Sequence, residues 1–154
     1  MRLEDDGDII KATGYVAIYA AYLEESIDEC VEFLIYLNGF SIKDASKIRK
    51  KQTKCKLDFI EEQVLLLDYD SFEVTNYVNN LTQIYELLIE RNNVIHGRIY
   101  ALPVVGDTQI SSKNNTKKAI DSKYLYSLAS TLFNSRDYFK SLTFFIKRAK
   151  KLSM

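Results

Sequence analysis

An all-α fold, an up-and-down four-helix bundle, is predicted for this chain by three observations. Apolar residues recur at three- and four-residue spacing through four long stretches. One proline and five glycines in 154 residues leave those stretches almost uninterrupted. Short polar breaks join the first three, which favours antiparallel neighbours. The length suits a single domain over residues 1–154, and 47% hydrophobic with 27% charged residues is the balance of a globular chain.

The first helix spans about residues 8–37, with Val16, Ala20, Leu23, Ile27, Cys30, Leu34 and Leu37 on one face, and Asn38-Gly39 stops it. Ser41 with Asp44, a variant of the capping box, opens a second helix that runs through Leu57, Ile60, Val64 and Leu67 to a stop near Asp68. Asp70 with Glu73 opens a third, whose stripe is Val74, Tyr77, Val78, Leu81, Ile84, Tyr85 and Leu88, and Gly97 ends it. The pattern then changes. Arg98 to Val105 and Thr108 to Ser111 are β-prone around a Gly106-Asp107 turn signal, which predicts a loop or short β-hairpin excursion. Asp121 is the N-cap of a fourth helix carrying Leu125, Leu128, Leu132, Phe139, Leu142 and Phe145 or Ile146 to a basic end at Lys147, Arg148, Lys150 and Lys151.

Net charge is zero, but the charges are segregated. Residues 1–40 carry nine acids against Arg2 and Lys11, whereas Lys43 to Lys56 carries seven bases against Asp44 alone. That basic stretch, with Lys47, Arg49, Lys50, Lys51 and Lys54 foremost, either tracks an RNA backbone or is a solvated helix face whose excess meets an acidic first helix in a neighbour. The many tyrosines and phenylalanines fall mostly at core spacing, which makes them core rather than stacking platforms. Two separated cysteines and one histidine form no structural zinc set, so neither metal nor cofactor is expected. Without a hydrophobic signal region or an apolar run of roughly 18 residues, the expectation is a cytoplasmic protein with reduced thiols and no membrane partner.

The one histidine, His96, stands at the end of the third helix in Glu90-Arg91-Asn92-Asn93-Val94-Ile95-His96-Gly97. Histidine gives and takes protons near neutral pH, and arginine's fork matches phosphate, so the pair points to phosphodiester chemistry. Asn92 and His96 share a helix face, whereas Arg91 lies about 140° away and continues the core row of Tyr77, Leu81, Ile84 and Leu88. A cation there needs an anion, either a ligand phosphate or a carboxylate. Glu24 is the first candidate, on a row with Ala17 and Ala21 whose small side chains allow close approach; Glu25 and Glu90 follow. For His96 the alternative is a helix C-terminal histidine held by the macrodipole.

The segment Arg91 to His96 resembles the arginine, polar residue and histidine signature of HEPN domains (higher eukaryotes and prokaryotes nucleotide-binding), late in the third helix of a four-helix bundle. The resemblance implies a metal-independent endoribonuclease, often a toxin or antiviral defence effector, working as a homodimer with the two motifs facing across a cleft. Arg91, Asn92 and His96 are then the implied catalytic residues, with Glu24 in support and RNA as the partner. One branch of the family pairs with a nucleotidyltransferase antitoxin and carries a modified tyrosine two residues after the histidine; Arg98 stands there in this chain, so that modification is not expected, and an antitoxin or regulatory protein remains a partner by another route. Two other readings stay open: a HEPN-like bundle that has lost catalysis and serves as a dimerising or nucleotide-binding module, and a helical interaction protein outside the family.

Overall fold

A computed structural model of the protein describes residues 3–96, 98–101, 108–111 and 118–152. The elements in chain order are α1 (Leu3–Asn38), α2 (Ile42–Arg49), α3 (Thr53–Leu65), α4 (Ser71–His96), β1 (Arg98–Ala101), β2 (Thr108–Ser111), β3 (Lys118–Ile120), α5 (Ser122–Asn134) and α6 (Arg136–Leu152). Helices dominate, and the class is all-α. The strands pair antiparallel in the order β1-β2-β3, with Ile99 against Ile110 and Gln109 against Ala119. Gly97 and the Gly106-Asp107 turn signal lie outside the described residues.

The chain divides into two compact units, Met1–Tyr22 with Glu86–Asn134, and Leu23–Tyr85 with Ser135–Met154. In the second unit the stop of α1 is the one its sequence announces. Gly39 takes φ 64, in the left-handed region where a side chain is strained. Its N–H reaches the Tyr36 carbonyl and the Phe40 N–H the Ile35 carbonyl, both at 3.4 Å, closing a Schellman motif. Phe40 then packs edge-on against Phe59 of α3. Asn38 ties the same end to its neighbours, donating to Gln63 at 2.9 Å and accepting from Lys150 at 3.1 Å.

The expected second helix over 41–68 is two helices, α2 and α3. Ser41 caps α2 as predicted, its hydroxyl accepting from the Asp44 N–H at 3.1 Å. The helix then stops at Lys50, and Gln52 is extended (φ −67, ψ 159) before α3 begins. No apolar residue lies between Ile48 and Cys55, so a continuing helix would have had no face to bury there. Arg49 reaches Glu32, Lys56 reaches Asp28 and Gln63 reaches Asn38. Consequently α2 doubles back along α1, and α3 climbs beside α1 in the same direction.

α4 returns in the opposite direction and α6 climbs again, since Glu73 pairs with Arg148 at 3.1 Å and Tyr77 meets Ser141 at 2.8 Å. Asp70 caps α4 by accepting from the Phe72 and Glu73 N–H groups at 2.8 and 3.3 Å. Leu34, Ile60, Val64, Leu142, Phe145 and Ile146 are among the fully buried side chains of this unit. Each contributes about 1.5–3 kcal/mol by leaving water. Tyr138 donates to the Tyr77 carbonyl at 2.7 Å, and burial raises its hydroxyl well above the ordinary range. Burial likewise pushes the Cys30 thiol up to about 12, opposed by a hydrogen bond with Thr143.

In the first unit the opening half of α1 packs on α5. Tyr126 donates to Asp8 at 2.9 Å, and hydroxyls of Ser122 and Tyr126 hold the Asp8 carboxyl below its ordinary range. Farther along, Tyr19 meets Phe133 edge-on at 4.9 Å. The expected fourth helix is also divided: a turn at Ser135 separates α5 from α6. Asn134 and Ser135 compete for backbone hydrogen bonds and favour such breaks. No described helix is long and apolar enough to cross a membrane.

Candidate functional site

The three residues singled out in sequence occupy the last two turns of α4, within the first unit. Leu88 and Val94, each 4% exposed, anchor this end of the helix to the core. Arg91 follows in the row of Ile84 and Leu88 and is half-buried, with its Nε shielded from solvent. Asn92 and His96, one turn apart, are both exposed. The helix ends at His96. An imidazole and a carboxamide therefore stand in water on one face, while the guanidinium stem beside them is packed.

Glu90 is held by α5. Asp121 caps that helix by accepting from the Tyr124 N–H at 2.7 Å, and the Tyr124 hydroxyl donates to the Glu90 carboxylate. Tyr124 is a partner that sequence reasoning missed; its position one turn into a capped helix was the only signal. Glu24, expected to support Arg91, is half-buried on α1 and belongs to the second unit, whereas Arg91 belongs to the first.

The basic stretch lies in the second unit and is partly answered by carboxylates. Arg49 makes a two-point contact with Glu32, its Nη2 at 3.0 Å from Oε2. This interaction lowers the Glu32 carboxyl below its ordinary range. Lys56 meets Asp28 at 2.6 Å. Lys54 pairs with Asp58 and lies 5.0 Å from the centre of the Tyr85 ring. Lys47, Lys50 and Lys51 are exposed and make no ion pair among the described residues. The carboxylates that meet Arg49 and Lys56, Glu32 and Asp28, are on the chain's own α1.

Compared with known proteins, the chain matches no family model, no curated protein and no solved structure.

Proposed function

We propose that this chain is an endoribonuclease of HEPN type, a homodimer that cuts RNA without a metal and acts as a toxin or defence effector. The observation that carries the reading is the pairing of exposed Asn92 and His96 beside half-buried Arg91 at the end of α4. Phosphodiester cleavage needs that division: proton-transfer groups open to substrate, and a cation whose position is fixed by packing. The same reading takes the long helices as a four-helix bundle with a β-hairpin excursion before the last part.

The 2′-hydroxyl of RNA attacks the adjacent phosphorus, the bond to the 5′-oxygen breaks, and the products are a 2′,3′-cyclic phosphate and a 5′-hydroxyl. His96 of one protomer takes the 2′-proton and His96 of its partner gives a proton to the leaving oxygen. Arg91 stabilises charge developing on the phosphoryl oxygens, and Asn92 hydrogen-bonds the phosphate or orients the imidazole. Lys47, Lys50 and Lys51 are the part of the basic stretch left to meet an RNA backbone, Arg49 and Lys54 being committed to carboxylates. A neutralising antitoxin or regulatory partner would hold such an activity in check.

Incubation of the protein in EDTA with a structured RNA and with its fully 2′-O-methylated counterpart tests the reading. Fragments with cyclic phosphate ends from the first alone are expected. Intact RNA in both favours the binding module, and fragments from the methylated strand rule out attack by the 2′-oxygen.

A further inference from the structure

Within the second unit, the later part of α1 and the facing side of α6 enclose a groove of about 270 Å³. Its floor is apolar, with Cys30 and Phe139 only 2% and 3% exposed. The Thr143 hydroxyl beside them already donates to the Phe139 carbonyl at 2.9 Å. Phe33 of α1 and Phe144 of α6 flank one end. Lys147 bridges these two rings, 5.5 Å from the centre of the first and 5.9 Å from that of the second. A bound apolar group would therefore find aromatic surface on both walls.

The walls carry opposite charge. Glu29 lines the groove from α1 and Lys140 from α6, with Arg136 one turn before Lys140. Elsewhere in this unit facing charges close on each other, as Glu32 does with Arg49, Asp28 with Lys56 and Glu73 with Arg148. Glu29 and Lys140 instead make no ion pair among the described residues, although both border the same groove.

We propose that the groove binds a free α-amino acid with an apolar side chain. The ammonium group pairs with Glu29, the carboxylate with the cations of α6, and the side chain lies over Cys30 and Phe139 between the two flanking rings. An amino acid carries both charges on one carbon, so a single small ligand answers both walls. A simple acid would leave Glu29 unanswered, and a simple amine would leave Lys140 so. The volume stands at the lower end of ligand pockets, roughly 300 Å³, which suits one amino acid better than a larger cofactor. The site lies in the second unit and does not rest on His96 being catalytic.

Isothermal titration of the full chain with L-phenylalanine, L-leucine, phenylpropionate and phenethylamine tests it. Saturable binding of at least one of the two amino acids below about 10 mM is expected. Phenylpropionate, which lacks the ammonium group, and phenethylamine, which lacks the carboxylate, should each bind about tenfold more weakly than phenylalanine. Glu29→Gln should weaken the amino acids and leave phenylpropionate unchanged. Lys140→Gln should weaken the amino acids and leave phenethylamine unchanged. Both residues are exposed, so circular dichroism of the two variants should match the parent. Failure of both amino acids to bind, truncated probes that bind as tightly as phenylalanine, or variants with the parent's affinity for the amino acids would overturn the proposal.

Discussion

The end of α4 and the turn between α2 and α3 both concentrate groups suited to a phosphate, yet they differ in what answers them. At the turn, three of the cations are met by carboxylates on α1 and α3. At the end of α4, Asn92 and His96 stand in water at the tip of a helix whose other face is packed. A cluster of like charge is weak evidence for a ligand when acids of the same chain lie alongside it. A polar pair backed by a buried row is stronger, because the fold holds it in place without using it.

The largest effect that sharpens this contrast is at His96. His96→Ala should remove cleavage, a loss of about 10²–10⁴ for a missing acid–base group. Its helicity and melting curve should match the parent, since the side chain is exposed. A core change in the second unit should do the reverse. Ile60, fully buried on α3, should cost about 2–5 kcal/mol in denaturant unfolding when replaced by alanine. Cleavage by the fraction that stays folded should be unchanged.

Smaller effects concern thiols and charges. Native protein should expose one thiol to a disulfide reagent at pH 8 and two in denaturant. Cys30 is buried with its thiol pushed up to about 12, while Cys55 is exposed. Replacing Lys47, Lys50 and Lys51 together by alanine should flatten the salt dependence of RNA binding by roughly 0.7 in log–log slope for each phosphate that is no longer neutralised. Least of all should be Glu32→Gln. Because Arg49 holds the Glu32 carboxyl below its ordinary range, the pair stabilises the fold above the ordinary carboxylate pKa, and that contribution fades as pH falls through the lowered value. The variant should melt slightly below the parent at pH 7, and the gap should close in acid and in high salt.

Much of the fold was legible because it rests on local rules. Ser41, Asp70 and Asp121 cap helices as their positions foretold, Asn38-Gly39 ends α1, and the buried row of α1 follows the predicted spacing. The division into α2 and α3 was harder to see. Its signal is an absence, the lack of any apolar residue from Arg49 to Lys54, and no glycine or proline marks it. The break at Ser135 likewise carries no strong punctuation, and the apolar spacing runs through it. In the candidate site, the shared face of Asn92 and His96 and the packed row of Arg91 followed from helical geometry alone. The partner of Glu90 did not, because Tyr124 is brought to it by the fold rather than by the sequence spacing. Nor did the pairing of the basic stretch with α1, for segregated charge tells that opposites exist and leaves open whether they meet within one molecule.

The most direct measurement is incubation of the parent and His96→Ala with a structured RNA in EDTA, reading the fragments and their 3′ ends. Cleavage by the parent alone, leaving 2′,3′-cyclic phosphates, is the predicted result. Equal cleavage by both proteins, or intact RNA with the parent, would contradict the assignment of proton transfer to His96 at the end of α4.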